Sequence, residues 1–230
     1  DISPPEYFWG YNRMTTIEGL FGAGDAVGGT PHAFSSGSFT EGRLAAKAAC
    51  KYIDDGKGEG IVVSEGQINR RKEEIYKPLE HYRIYRNAIV AGDVNPHYIN
   101  PKQGLDRLQK LMDEYCGGVT VNYMTNEKLL NIGLKKLAIM EEDLENLAAK
   151  DVHELLRAWE LKHRHRAAEC VTQHTLFRKE TRWPGYYYRG DAMKVDDENW
   201  HVLTVSRRDP KTGEYTMEKA PCYHLVADEA

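Results

Sequence analysis

Residues Thr16 to Ser38 read T-I-E-G-L-F-G-A-G-D-A-V-G-G-T-P-H-A-F-S-S-G-S, and this stretch decides the fold class. Thr16 to Ala23 is a short, apolar, β-compatible run, and glycines and other small residues follow it as far as Ser38. From Ser38 small and apolar residues recur at Gly42, Ala45, Ala46, Ala49, Cys50 and Ile53, the spacing of one helix face, while Lys47, Lys51 and Asp54 point away. The order is therefore strand, glycine-rich loop, helix, with a helix face smooth enough to lie close to a sheet or a planar ligand. Such a turn makes an anion seat at Ser35, Ser36, Gly37 and Ser38, because unpaired helix amides and the positive end of the dipole face whatever sits there. Gly24 and Asp25 stand at the strand's carboxyl end, where the Asp25 carboxylate is placed to accept hydrogen bonds from a polyol hydroxyl. The region lacks a G-x-G-x-x-G with an acidic residue about 20 positions later, so a dinucleotide bound here would keep its pyrophosphate half elsewhere. Glycine-rich strand-to-helix turns are common, and most hold no cofactor.

Gly56 and Gly58 end the first helix, and the small, charged stretch Asp54 to Gly60 is the best domain boundary. Beyond it the spacing predicts helices over Gln67 to Val90, Pro101 to Tyr115, and Asn126 to His174 with a break near Lys150. Leu105, Leu108, Leu111 and Met112 form one face of the second of these, and Gly117-Gly118 stop it. Asp151 and Glu154 have capping-box spacing, which starts a new helix with Leu155, Leu156, Trp159 and Val171 turned inward. Its antiparallel partner is the preceding helix, with Leu130, Leu134, Leu137, Met140, Leu144 and Leu147. After Glu180 the pattern turns irregular and aromatic, and His201 to Ser206 and Glu214 to Glu218 flank D-P-K-T-G as a hairpin.

With 230 residues, 41% of them hydrophobic, the chain supports a real core. Lys plus Arg number 31 against 35 Asp plus Glu, net charge −4, and no basic stripe marks a nucleic-acid partner. No apolar run reaches the roughly 18 residues of a membrane span, so the expected location is the cytoplasm. Cys50, Cys116, Cys170 and Cys222 lie far apart without C-x-x-C pairs, which reads as buried free thiols, and no metal site is assigned. His163 and His165 sit two apart on a helix and point to different faces, a basic face beside Lys162, Arg164 and Arg166. Asp1 to Asn12 is Pro- and aromatic-rich without a helix or strand period, and looks like the interior of something larger. Lys179 to Trp200 interleaves basic, acidic and aromatic residues, which suits either a polar interface or an internally salt-bridged coil wrapped over the helices.

G-L-F-G-A-G-D followed by the small-residue seat, with E-T-R-x-x-x-x-Y-x-R-x-D-x-x-x-x-D-D-E-N-W far downstream, resembles the fumarate reductase and succinate dehydrogenase flavoprotein superfamily. Within it, P-H-A-F-S-S-G-S-F-T-E-G-R and E-T-R-W-P-G-Y-Y-Y-R-G-D resemble the α subunit of dissimilatory adenylylsulfate reductases, and the similarity runs along essentially the whole chain. The resemblance implies an α/β flavin-domain remnant over 1–60, a mainly helical domain over 61–175, and an irregular C-terminal extension with a hairpin over 176–230. It implies reduction of adenylylsulfate to sulfite and AMP, or the reverse, through a sulfite adduct at flavin N5. The FAD site would be completed by a missing N-terminal part, and this piece alone would be inactive.

Carried over by position, the resemblance places Gly24, Asp25, Ser35, Ser36, Gly37 and Ser38 at FAD, with Asp25 at the ribityl chain and the amides at the N1/C2 edge. Phe34 falls on the substrate side or is a plain core aromatic, and His32 is polar lining or a structural histidine. No catalytic residue is assigned in this fragment. The implied partner is an iron–sulfur β subunit carrying two [4Fe-4S] clusters, with part of the contact expected on the Arg182 to Trp200 belt, including Arg189 and Asp191. Ala33 stands where fumarate-type members carry a substrate-gripping arginine, which argues against a simple dicarboxylate reductase. The alternatives are a fumarate- or succinate-type flavoprotein with a relocated anchor and a non-catalytic helical interaction module.

Overall fold

Capping residues and three–four apolar spacing shape most of the chain from Ser35 to Phe177, and helices dominate accordingly. The computed structural model describes residues 10–24, 35–60, 62–88, 95–182 and 184–222. It divides into two compact units, Asp1–Ser64 with Ala220–Ala230, and Glu65–Lys219.

In the first unit, residues 10–24 fold back on themselves. Thr15 N donates to Leu20 O at 2.8 Å, Gly22 N donates to Arg13 O at 2.9 Å, and Met14 and Phe21 form an isolated antiparallel bridge. The run expected as an extended strand over Thr16 to Ala23 thus makes one bridge, because an extended segment needs a neighbour for its amides and here the neighbour is its own other arm. Helix α1 spans Ser35–Asp54, three residues longer at its start than the spacing predicts.

The turn selects which face of α1 it covers. Arg13 Nη2 donates to Glu41 Oε1 at 2.8 Å, with Nε paired to the other carboxylate oxygen, and Tyr11 and Phe21 meet Tyr52 edge-on at 5.1 and 6.1 Å. The inward stripe is therefore Glu41, Ala45, Ala48 and Tyr52. Of the expected smooth face, Ala45 is buried, Gly42 and Ala49 are half-buried, and Ala46, Cys50 and Ile53 are exposed. Gly56, at φ 73°, ends the helix as expected.

The second unit begins with α2 (Glu65–Tyr85) and α3 (Pro101–Tyr115), then a single 3-10 turn (Val119–Val121) and the two-residue strand β1 (Met124–Thr125). Helices α4 (Glu127–Leu144) and α5 (Val152–Phe177) follow, then β2 (Tyr188–Arg189), the short α6 (Asp197–Trp200), and the hairpin β3 (Val202–Arg208) and β4 (Tyr215–Pro221). Helix α2 ends five residues before the expected Val90, and the break between α4 and α5 covers 145–151.

Caps set the helix starts. Asn100 and Gln103 form a reciprocal capping box with Pro101 at the first helical position of α3. The Asn126 side chain accepts from Leu129 N at 2.9 Å, and Asp151 accepts from His153 N and Glu154 N. The Glu154 side chain accepts from Lys150 N, one residue before the cap, so the predicted box closes one residue early.

Helices α3, α4 and α5 share one core of Leu108, Leu111, Leu137, Met140, Leu144, Leu147, Ala158, Leu161 and Ala168. Each fully buried leucine contributes about 1.5–3 kcal/mol. Lys162 pairs with Glu145 and Arg166 with Glu141, so α4 and α5 run antiparallel as expected. At Gly104 a Cβ would stand 2.4 Å from Leu161 Cδ2, so α3 and α5 approach closely only because this position is glycine.

Two expected core residues of α5 face outward: Leu156 is 57% exposed and Val171 55% exposed. The buried stripe is Leu155, Ala158, Leu161, His165, Ala168 and Thr172, one residue away from both, which is about 100° around the helix. His165 does not sit on a basic surface either. It is buried, and its Nε2 donates to Leu137 O at 2.8 Å, while His163 is exposed beside Trp159.

Helix α2 carries Pro78 in its interior, and that proline is its one buried residue among those described. Proline withdraws an amide hydrogen from the turn behind it. Trp159 Nε1 of α5 donates to Ile75 O at 3.0 Å in that turn, and Ala149 N donates to Pro78 O at 2.9 Å.

The four cysteines are free, as expected, but they are not core thiols. Cys50 is exposed and Cys116, Cys170 and Cys222 are half-buried. Among the described residues no helix is long and apolar enough to cross a membrane, and no group of His, Cys, Asp and Glu is arranged to hold a metal.

Candidate functional site

The N-terminus of α1 is the first candidate. Ser35, Ser36 and Ser38 are exposed and Gly37 is half-buried, and the first turn holds no acidic residue. The first amides of a helix lack intrahelical acceptors, and among the hydrogen bonds of the described residues no side chain closes this end. The Thr40 hydroxyl instead donates to Ser36 O at 2.9 Å, inside the helix.

Gly24 stands against this end, buried, at φ 65°. A Cβ there would lie 3.1 Å from Ser38 Oγ, a tight contact, and the left-handed backbone itself favours glycine. Of the residues expected at the site, Gly24, Ser35, Ser36, Gly37 and Ser38 gather here. Asp25, His32 and Phe34 lie outside the described residues. A positively polarised helix end lined by hydroxyls and glycine backbone fits an electron-rich ring edge or another anion.

The segment 180–200 is the second candidate, and it is the internally bonded coil. Glu180 is fully buried, accepting from Arg178 at 2.5 Å, from Arg182 at 2.7 and 2.9 Å, and from Asp196 N at 2.9 Å. Burial alone would push its carboxyl up, but the Arg182, Asp196 and Arg178 hydrogen bonds outweigh that and hold it below the ordinary carboxylate value.

Arg189 is 1% exposed and lies at the carboxyl end of α5. Its Nη1 donates to the carbonyls of Thr175, Leu176 and Arg178, at 3.2 Å for Leu176 and 2.8 Å for Arg178, and Nε and Nη2 form two parallel 2.9 Å bonds with Asp191. Asp191 in turn accepts from Glu127 N, the first residue of α4, at 2.9 Å. One ion pair thus caps the negative end of α5 and the positive end of α4. The Arg189 bonds, with the Glu127 amide adding to them against the cost of burial, hold the Asp191 carboxyl down at about 2.

Parallel pairing of β1 with β2 sets this register, aligning Met124 with Tyr188 and Thr125 with Arg189. Part of a partner contact was expected on the Arg182 to Trp200 belt, including Arg189 and Asp191; Arg189 is buried there, while Asp191 is exposed. A guanidinium committed to three helix carbonyls and a carboxylate is not available to another chain. The exposed large hydrophobic residues here are Tyr186, Met193 and Val195. The capping role escaped sequence reading because the R-x-D pair lies more than ten residues beyond the helix end it serves; the spacing R-x-D alone carried the signal for a bidentate pair.

The family model described as "Fumarate reductase flavoprotein C-term" matches residues 105–226, from α3 through the hairpin and the capping pair. The chain belongs to this family. The fumarate reductase flavoprotein C-terminal domain therefore accounts for the α3–α5 bundle and the coil that closes it.

The adenylylsulfate reductase subunit alpha of Megalodesulfovibrio gigas is 42% identical over 223 residues, 96% of this chain and 33% of that protein. The structure of adenylylsulfate reductase from Archaeoglobus fulgidus superposes with a TM-score of 0.91 at 49% identity, covering 98% of this chain and 36% of that one. A structure described as adenosine-5-phosphosulfate reductase in complex with sulfite, as a covalent adduct, superposes with a TM-score of 0.91 at 48% identity over 98% of this chain and 36% of that one. The chain spans about a third of the length of these relatives.

Proposed function

We propose that this chain is a C-terminal piece of an adenylylsulfate reductase α subunit, a cytoplasmic oxidoreductase that interconverts adenylylsulfate with sulfite and AMP. The observation that carries the reading is the near-complete overlap of the chain, at close to half identity, with the adenylylsulfate reductase structures. The serine- and glycine-lined N-terminus of α1, with Gly24 against it, supports it. In this reading 1–60 is the end of an FAD-binding domain, 61–175 the helical domain and 176–230 its extension.

FAD supplies the two-electron chemistry when bound, and its site is completed by residues that this chain does not contain. The chain's own contribution is positioning. The amides at Ser36, Gly37 and Ser38 would hold the electron-rich N1/C2 edge, where a helix terminus stabilises negative charge. Ser35 lines the same mouth, and Gly24 leaves room for backbone close to it. By resemblance, Asp25 would accept from the ribityl hydroxyls and His32 and Phe34 would stand on the substrate side. The partner is an iron–sulfur β subunit that holds the [4Fe-4S] clusters, and on the 182–200 belt Tyr186, Met193 and Val195 are the residues that face outward to meet it.

A fumarate- or succinate-type activity is the second reading, favoured by the family model and opposed by Ala33 where a carboxylate-gripping arginine would stand. Purification of the full-length subunit decides among the readings. A yellow protein that turns over adenylylsulfate and not fumarate bears out the proposal, fumarate turnover favours the second reading, and a colourless protein removes both.

A further inference from the structure

The seam between α5 and β3 is polar from Arg178 to Arg208. Arg178 donates to the carbonyls of Trp200 and Val202 at 2.8 and 2.7 Å. His174 places Nδ1 2.9 Å from Thr204 Oγ1 and Nε2 2.9 Å from Ser206 Oγ. Cys170 Sγ lies 3.7 Å from the same Ser206 oxygen, and Arg208 reaches Glu169 at 3.8 Å and Glu141 at 3.5 Å. Residues four apart on the helix thus meet residues two apart on the strand. The periods match because four helical residues advance about 6 Å and two strand residues about 6.6 Å.

His174 sits at the centre of this seam, half-buried, with both ring nitrogens engaged. A neutral imidazole offers one donor and one acceptor, which two hydroxyls can complement in either order. A protonated ring carries two donors and a charge that the seam must accommodate.

The groups around it do not welcome that charge. Arg178, just past the end of α5, lies one turn ahead, with Cys170 one turn behind and Arg166 and Glu169 beyond it; on β3 the charged residues are Arg207 and Arg208. On β4, Tyr215 donates to Glu169 at 3.2 Å. Past the end of α5, Glu180 is held by Arg178 and Arg182, and on α4 Glu141 is shared by Arg166 and Arg208. Among the described residues, each carboxylate along the seam is already matched to a guanidinium.

We propose that His174 is a pH-sensitive latch, whose protonation in mildly acidic solution weakens the hold of α5 on β3 and lets the hairpin at 202–219 lift. Burial, and after it the charge of Arg178, push the His174 imidazole below its ordinary value. The sign follows from that: with the folded-state value depressed, the latch is fully closed above the ordinary histidine range and is lost as pH falls through the folded value. This inference rests on the seam alone and stands whether or not the redox reading does.

The test is hydrogen exchange in the intact protein, followed on peptides covering 202–219 between pH 7 and pH 5 and corrected for intrinsic exchange, with α3 peptides as reference. In the unmodified protein, hairpin protection should fall about tenfold across this range while α3 stays constant. In His174→Gln, whose amide also donates and accepts but does not titrate, protection should not vary with pH. Constant protection in the unmodified protein, or the same fall in His174→Gln, overturns the proposal. Should the variant not fold, NMR titration of the His174 ring in the unmodified protein takes its place. An apparent pKa clearly below about 6.5 alongside the fall upholds the latch, and one at or above that value overturns it.

Discussion

The N-terminus of α1 and the C-terminus of α5 pose one problem with opposite polarity, and the chain treats them differently. Both leave unpaired backbone groups at the end of a dipole. At α5, Arg189 takes up three carbonyls and passes its charge to Asp191, which caps α4. At α1 the mouth is lined by exposed serines and a glycine, and a buried glycine stands beside it. A helix end closed by the chain's own charged side chains is committed to holding the fold. One that no side chain among the described residues closes can present its amides to a ligand. Of two motifs that suggested function in the sequence, the conspicuous E-T-R…R-G-D cluster is thus architecture, and the plainer serine–glycine turn is the candidate site.

Removing the closed end should cost most. Arg189→Met strands Asp191 and three carbonyls, and denaturant unfolding should show a loss of about 3–5 kcal/mol. A loss below 1 kcal/mol would mean that the cap is dispensable and the contrast false. Gly24→Ala tests the open end. A left-handed backbone and a Cβ 3.1 Å from Ser38 Oγ should lower stability by about 1–2 kcal/mol and, in the full-length subunit, lower flavin content as read by absorbance.

The Asp191 carboxyl, held at about 2, sharpens the comparison through pH. Its folded value is depressed, so its contribution is present above the ordinary aspartate range and disappears as pH falls toward 2. With one third of the side chain exposed, solvent screening reduces the effect to about 1 kcal/mol. Acid unfolding of Asp191→Asn should lack that component. The smallest effect is expected at Leu156→Ser, within about 0.5 kcal/mol, against about 2–4 kcal/mol for Leu155→Ala one position away. A large loss at Leu156 would show that its exposed face is covered.

Helix α3 was legible to the residue because its punctuation is local: Asn100 and Pro101 start it and Gly117-Gly118 follow its end. The inward face of α5 was only partly legible. Its stripe passes through Ala158, His165 and Thr172, which do not look apolar, while Leu156 and Val171 do and face solvent. The buried face of α1 depends on Arg13 reaching Glu41 across a turn, and no periodicity reports a pairing between a loop and a helix. The helix that begins at the serines was legible from the turn chemistry, to within three residues of its start. The His174 seam was not, because it joins segments whose only common feature is matching advance per repeat.

The proline inside α2 acts as an index mark. A regular helix offers the same bonded carbonyls on every turn, so a neighbour able to slide along it finds no preferred stop. Pro78 breaks that sameness at one turn, and the Trp159 indole and the Ala149 amide engage there, at Ile75 O and Pro78 O. The amide that Pro78 lacks would have served Glu74 O, and the two outside donors bracket that irregular turn, so a helix with little buried surface is still tied to its neighbours there.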